Sequence, residues 1–124
     1  MLTSTVARIL FGVPFLMFGI NHFFYAQMMQ GMIPSFLPGG ILWIYLTGVG
    51  LIAAAVSLFI AKLTKEAMIG VSLFLVAAIA FIHIPGLGSP DQAVMERSMM
   101  GMLKDVGLLG ASLSFYGQFA RPQA

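Results

Sequence analysis

Five polar residues interrupt otherwise apolar stretches of this chain, and their chemistry could serve a ligand or a reaction. They are Asn21, His22, His83, Lys104 and Asp105. Histidine and aspartate exchange protons, whereas lysine and asparagine donate hydrogen bonds to carbonyl oxygens. An ionisable group inside a membrane span costs at least ~2.5–3.5 kcal/mol, which makes it a functional candidate. We take Asp105 and His83 as catalytic candidates and all five residues as candidate ligand-binding residues.

The composition restricts the kind of protein that can carry these residues. The chain has 124 residues, of which 60% are hydrophobic and only 8% are charged, whereas about a quarter of a soluble domain is charged. A water-soluble globule and a disordered chain are therefore excluded. There is no cysteine, which excludes thiol redox chemistry and Fe–S clusters. The net charge of +2 is not gathered in a basic patch, so nucleic acid is not an expected partner.

The apolar stretches predict an all-α integral membrane protein with one transmembrane domain over residues 1–124. About 20 apolar residues are needed to cross a bilayer. Four stretches are of this kind, and they predict a four-helix bundle with spans at about 4–25, 41–61, 67–84 and 99–119. We interpret the first as a retained helix, because Phe24 stands where a signal-peptidase site needs a small residue. Pro85 is expected to end the third span.

The Lys and Arg residues predict the orientation of the four spans. Arg8, Lys62, Lys65 and Arg121 fall on the side that holds both termini, and Arg97 falls on the other side. The side richer in Lys and Arg is usually cytoplasmic. We therefore expect both termini in the cytoplasm of a bacterial cell and the chain in the cytoplasmic (inner) membrane.

The connections between the spans differ in length and composition. Residues 26–40 are uncharged, rich in Met and Phe, and interrupted by Pro34 and by Pro38 with two glycines. Such a segment is expected to be interfacial or re-entrant. Residues 62–66 predict a tight turn. Ser89 followed by Pro90 is typical of a helix N-cap followed by its first residue, which starts a last helix of about 30 residues.

Helical spacing predicts which side chains face the interior of the bundle. Ser98, Asp105 and Ser112 are seven residues apart and form one stripe. Lys104 and Asp105 are adjacent, so they are not expected to face each other. On the third span, one face is expected to carry Ser72, Val76, Ile79 and His83. On the first span, Gly12 and Gly19 share a face where another helix can approach closely.

The two histidines, Lys104 and Asp105 all fall in the outer third of the membrane in this topology, and convergence at one depth points to one site. Structural alternatives remain open. His22 can be an interfacial residue, His83 can bond the carbonyls freed by Pro85, and Lys104 can extend to the headgroups. Two histidines and a carboxylate could hold a metal, or the histidines a b-type haem, but neither is supported by the spacing.

Two segments resemble the DoxX-like family of small four-helix membrane proteins. One comprises residues 8–12, Arg-Ile-Leu-Phe-Gly, with 18–23, Phe-Gly-Ile-Asn-His-Phe. The other is residues 104–111, Lys-Asp-Val-Gly-Leu-Leu-Gly-Ala, and residues 34–40 before the second span also fit. The resemblance implies a four-helix fold. It also implies a link to quinone-reducing or oxidative-stress complexes or, for distant relatives, to receptor assembly.

Two hypotheses follow for the function. In the first, the polar residues bind a quinone- or lipid-like ligand for a redox or stress-related membrane complex, and residues 26–40 form a lid. In the second, the protein is a non-enzymatic scaffold, assembly factor or chaperone that packs against a partner membrane protein or its own copy. No cofactor is firmly implied. A quinone is a candidate, and the sequence leaves open whether the protein is an enzyme.

Overall fold

A computed structural model describes residues 2–33 and 35–121, and these residues form helices and short connections with no β-strand. This confirms the all-α prediction. The helices are α1 (Leu2–Phe24), α2 (Ala26–Met29), α3 (Ile41–Ile60), α4 (Thr64–Ala78), α5 (Ile84–Leu87) and α6 (Gln92–Ala120). A 3₁₀ turn at Gln30–Met32 follows α2, and a π-helical turn at Ile79–His83 joins α4 to α5.

Three helical segments of the described chain are long and apolar enough to cross a membrane. They are Leu2–Phe24, Ile41–Ile60 and Thr64–Leu87. The third extends beyond the predicted end at residue 84, because Pro85 occupies the second position of α5 and does not stop the helix. The 29-residue α6 is longer than these segments, but four charged residues lie along it.

The last helix starts two residues later than its sequence signal indicates. Asp91 is the N-cap, and its Oδ1 accepts a hydrogen bond from the backbone N–H of Ala93 at 2.9 Å. The predicted cap, Ser89, instead accepts a hydrogen bond from the N–H of Asp91 at 3.2 Å. Both residue types are good caps, and Asp91 fixes the start of the helix at Gln92.

The helices pack mainly as two pairs, α1 with α3 and α4 with α6, while α3 and α4 contact each other less. The close approach predicted for Gly12 and Gly19 is confirmed. A Cβ on Gly12 would lie 2.7 Å from Cε1 of Phe59, and one on Gly19 would lie 2.6 Å from Cγ1 of Ile52. Both neighbours belong to α3, so side chains at these positions would separate the first pair of helices.

An apolar core joins the two pairs at the level of Phe15, Leu58 and Met68, which are fully buried. The rings of Phe11 and Phe115, from α1 and α6, lie 5.2 Å apart between centroids. This core holds α1 against α6 although their backbones have little direct contact.

Arg8 stabilises the end of α3. Its guanidinium donates hydrogen bonds to the carbonyl oxygens of Leu58 and Phe59, the latter at 3.2 Å. These carbonyls have no partner within the last turn of the helix, and a cation there also interacts favourably with the helix dipole.

The segment between α1 and α3 begins with two short helical turns. Ala26 is buried, whereas Met28 and Phe36 are largely exposed. The Phe36 ring approaches the ring of Phe81, on the π-helical turn, to 6.2 Å between centroids. Pro34, predicted to interrupt this segment, lies outside the described residues.

Candidate functional site between α4 and α6

The stripe predicted on the last helix is confirmed. Ser98, Asp105 and Ser112 are all buried, and Phe115 continues the same face. Asp105 is only 5% exposed, although it is a carboxylate on a helix whose neighbouring residues are mostly apolar. A buried carboxylate requires partners that satisfy its oxygens, and the structure provides two.

His83 is the first partner of Asp105. The histidine Nε2 lies 2.8 Å from the carboxylate Oδ2, and the two side chains are 17% and 7% exposed. An ionised carboxylate can only accept hydrogen bonds, so Nε2–H donates. The ring then carries a lone pair on Nδ1, which can accept a proton or a hydrogen bond from a ligand.

Lys104 is the second partner. Its Nζ lies 3.6 Å from Oδ1 of Asp105 and 4.5 Å from the centroid of the Phe18 ring. The prediction that these adjacent residues would not face each other is wrong, because the long lysine side chain folds back beside the carboxylate. The Lys104 side chain is 49% exposed, so its ammonium group is the most accessible part of the cluster.

The π-helical turn places His83 against α6. The N–H of Ile84 bonds the carbonyl of Ile79, five residues earlier. A π-helical turn takes more residues per turn than an α-helix and thus changes the direction in which later side chains point. Of the residues predicted to share one face, Ser72 and His83 both contact α6, whereas Val76, which precedes the π-helical turn, is half exposed. Pro85 is the sequence signal for this turn, because it lacks the N–H that an α-helix would use.

A glycine on α6 leaves room for the His83 ring. A Cβ on Gly101 would overlap the ring and lie 2.8 Å from its Nδ1. Ser98 lies about one turn before Gly101 on α6. A Cβ on Gly86 of α5 would overlap the hydroxyl of Ser98, so α5 and α6 also approach closely. Glycine at position 101 is thus a requirement for the His83–Asp105 contact.

For the other two predicted site residues, the contacts are to residues outside this cluster. His22 Nδ1 is 2.6 Å from the carbonyl oxygen of Phe18, on its own helix, and its ring lies edge-on to Phe74 at 6.5 Å. Asn21 is half-buried, and its backbone carbonyl accepts from the N–H of Tyr25 at 2.8 Å. The structure therefore brings together three of the five residues, His83, Lys104 and Asp105.

A second polar contact joins the same two helices. The hydroxyls of Ser72 and Ser112 are 2.9 Å apart, and Ser112 donates to the carbonyl of Met68 at 3.2 Å. The hydroxyl of the fully buried Ser112 is thus satisfied. Its role is structural, since it has two partners inside the protein.

Two clefts of the described chain are not lined by the cluster. One of about 320 Å³ lies between α4 and α6, where Ser72, Val76 and Tyr116 line it, and a larger one lies between α3 and α4. The partly exposed side chains of Lys104 and His83 are the parts of the cluster that a ligand can reach.

Metal ligands do not gather at the cluster in the described part of the chain. His83 and Asp105 are of the right types, but no group of three or more His, Cys, Asp or Glu residues that could hold a metal occurs there. The donors that the cluster presents are the lysine ammonium and the imidazole, which suit a polar organic group.

Comparison with known proteins gives one match. No curated protein and no solved structure matches this chain. Residues 11–89 match a family described as a domain of unknown function (DUF8561). The matched range includes His22 and His83 and ends before α6, which supplies Lys104 and Asp105. Because the match covers more than half of the sequence, the chain belongs to the DUF8561 family.

Proposed function

We propose that the protein crosses the bacterial inner membrane four times, with both termini in the cytoplasm and α6 as the fourth span. Three apolar helical segments support this, and α6, with 29 residues, is about 43 Å long at 1.5 Å per residue. Arg8, Lys62 and Lys65 fall on the side of the termini, in accord with the tendency of cationic residues to remain cytoplasmic.

In this topology the protein binds a quinone- or lipid-like ligand at His83, Lys104 and Asp105. The observation that carries the proposal is the buried Asp105, with His83 on one oxygen and Lys104 on the other. A buried carboxylate is costly in a membrane span. Asp105 lies beside two side chains, His83 and Lys104, that can donate hydrogen bonds and remain partly accessible, as a ligand site requires.

Each residue has a role that follows from its geometry. Lys104 forms an ion pair with Asp105 and can donate a hydrogen bond to a ligand carbonyl. His83 is oriented by Asp105, and its partly exposed imidazole can bind a ligand hydroxyl and take up its proton, while Asp105 stabilises the imidazolium that forms. The Phe36–Phe81 contact supports a lid formed by residues 26–40. His22 and Asn21 take no part in ligand binding in this proposal.

The resemblance to the DoxX-like family favours a place in a redox or stress-related membrane complex. The residues that carry this resemblance at 104–111 include Lys104 and Asp105 themselves. The chain has no cysteine, so thiol chemistry in such a complex would come from another subunit.

Thermal unfolding in detergent with decylubiquinone tests the ligand site. The wild-type protein is expected to gain several degrees at saturating quinone, because a ligand that binds the folded state stabilises it. His83→Ala and Asp105→Asn should lose this gain, and Lys104→Gln should reduce it. His22→Ala is the matched control and should keep it.

Decane in place of decylubiquinone separates binding of the quinone head from binding of its tail. Decane is expected to produce no gain. An equal gain with decane, or an unchanged gain in both His83→Ala and Asp105→Asn, would refute the proposed site.

A scaffold function is the second candidate, and open glycines on α6 favour it. A Cβ on Gly107 or Gly110 would meet nothing within 4 Å, so another helix can pack closely there. Cross-linking in native membranes is expected to capture a partner that Gly110→Leu loses. Retention of the partner in Gly110→Leu would argue against this interface.

A further inference from the structure

A cleft lies between α3 and α4, and none of the polar cluster lines it. Its volume is about 870 Å³. Small residues form much of its wall, among them Gly50, Ala53, Ser57 and Gly70. A Cβ on Gly50 or on Gly70 would meet nothing within 4 Å, so these glycines open onto the cleft and leave it free for another molecule.

The length of the cleft corresponds to one leaflet of a bilayer. Along α3 it reaches from Thr47 to Ile60, which is about 20 Å at 1.5 Å per residue. Half of a hydrocarbon core is about 15 Å thick. In the proposed topology the cleft therefore covers the cytoplasmic leaflet, where one extended acyl chain can lie along it.

The end of the cleft near the turn between α3 and α4 is polar and favours negative charge. Lys62 and Glu66 line it, and Lys65, which does not line the cleft, lies between them in sequence. The turn and the start of α4 therefore carry two cations and one anion. The α4 N-cap is Leu63, at φ 56°, and no side chain accepts a hydrogen bond there. The first N–H groups of α4 thus add partial positive charge at the same end.

Neighbouring polar groups at this end are occupied. Ser57 donates its hydroxyl to the carbonyl of Lys62, and Thr64 donates to the carbonyl of Ser57 at 3.3 Å. The Arg8 guanidinium bonds Leu58 and Phe59. Lys62 is therefore the cation at the mouth of the cleft, and an anionic group beside it would complement its charge.

We propose that the cleft between α3 and α4 binds one acyl chain of an anionic phospholipid, whose phosphate lies at Lys62 and the N-terminus of α4. The inference rests on the proposed four-span topology and adds a second site, at the opposite end of the bundle from His83 and Asp105. Lipid bound there would fill the cleft between α3 and α4, which contact each other less than the helices of either pair do, and would stabilise the bundle.

Native mass spectrometry with equal amounts of dioleoylphosphatidylglycerol and dioleoylphosphatidylcholine tests this. The wild-type protein is expected to retain the anionic lipid at least fivefold more than the zwitterionic one. Lys62→Gln should remove this preference. Gly70→Leu should cut total retention about tenfold, because leucine enters the cleft, and Gly50→Leu should act similarly. The control is Gly107→Leu, at an equally open glycine of α6.

Three results would overturn the inference. These are equal retention of both lipids by the wild-type protein, retention in Gly70→Leu and Gly50→Leu equal to that in Gly107→Leu, or loss of a dimer rather than a lipid in these variants. The two proposals fail separately: Lys62→Gln should leave the decylubiquinone response intact, and His83→Ala should leave lipid retention intact.

Discussion

The two helix pairs are held together in different ways. Between α1 and α3, glycines bring the helices together, and a Cβ on Gly48 would lie 2.9 Å from Cβ of His22 and 3.1 Å from the carbonyl oxygen of Gly19. Between α4 and α6, buried polar side chains meet at two levels, Ser72 with Ser112 and His83 with Asp105. The pair α1 and α3 is held by close packing of the helices. The pair α4 and α6 also contains contacts between polar and ionisable side chains.

This difference indicates where stability and where function lie. In a membrane, close packing is a main source of helix association, whereas a hydrogen bond between helices contributes on average about 0.6 kcal/mol. The charged cluster adds a desolvation cost that a structural contact does not need, which is why we assign the ligand site to this pair.

The largest effect is expected from breaking the glycine contact of the first pair. Gly19→Leu should destabilise the protein by about 3 kcal/mol, because the side chain would overlap Ile52 and force α1 away from α3. Unfolding in SDS, starting from mild detergent, measures this. Gly107→Leu, at an open glycine of α6, is the control and should unfold like the wild type. Similar stability of Gly19→Leu and Gly107→Leu would show that shape does not hold this pair.

Removing the carboxylate from the second pair is expected to cost about 2 kcal/mol. Asp105→Ala leaves the Nε2–H of His83 without its acceptor, and a hydrogen bond to a charged group is worth about 1.5–3 kcal/mol. Asp105→Asn keeps a carbonyl oxygen for that bond, so its cost should be less than half as large. The same unfolding measurement applies to both. If the asparagine variant were as unstable as the alanine variant, the hydrogen bond would not be the stabilising element.

An added methyl group on α6 is expected to affect both the stability of the second pair and its response to a ligand. Gly101→Ala is expected to displace the His83 ring at a cost of about 1.5 kcal/mol and to abolish the response to decylubiquinone. Gly107→Ala should change neither property, because its Cβ meets open space. If Gly101→Ala kept the quinone response, the position of the His83 ring would not be required for ligand binding.

The smallest effect is expected at the serine contact. Ser112→Ala loses the bonds to Ser72 and to the carbonyl of Met68, with a cost of about 0.6 kcal/mol by analogy with other hydrogen bonds between membrane helices. The quinone response should be unchanged. A loss of that response would extend the functional region of this pair from His83 and Asp105 to its second polar level.

Much of the site followed from periodic spacing. The interval of seven placed Ser98, Asp105 and Ser112 on one face, because a regular helix of 29 residues preserves the phase. Spacing also identified the glycine face of α1. Both predictions concern uninterrupted α-helices, where position in sequence determines direction.

The predictions that differ from the structure concern irregular backbone and long side chains. Helical phase could not anticipate the π-helical turn before Pro85, on which His83 reaches Asp105. It also did not predict that Val76 is half exposed. Helical phase gives the direction in which a side chain leaves the helix, so it did not predict that the long Lys104 side chain folds back toward Asp105. Asp91 and Ser89 are equally suitable N-cap residue types. Which of the two caps α6 therefore depends on the local backbone geometry.

Mass spectrometry of the small molecules that co-purify with the protein from native membranes tests the central claim most directly. The account predicts a lipophilic molecule with a carbonyl or hydroxyl head group in the wild-type and His22→Ala proteins, and its loss from His83→Ala and Asp105→Asn. Identical small-molecule profiles in all four proteins would contradict the assignment of His83, Lys104 and Asp105 as a ligand site.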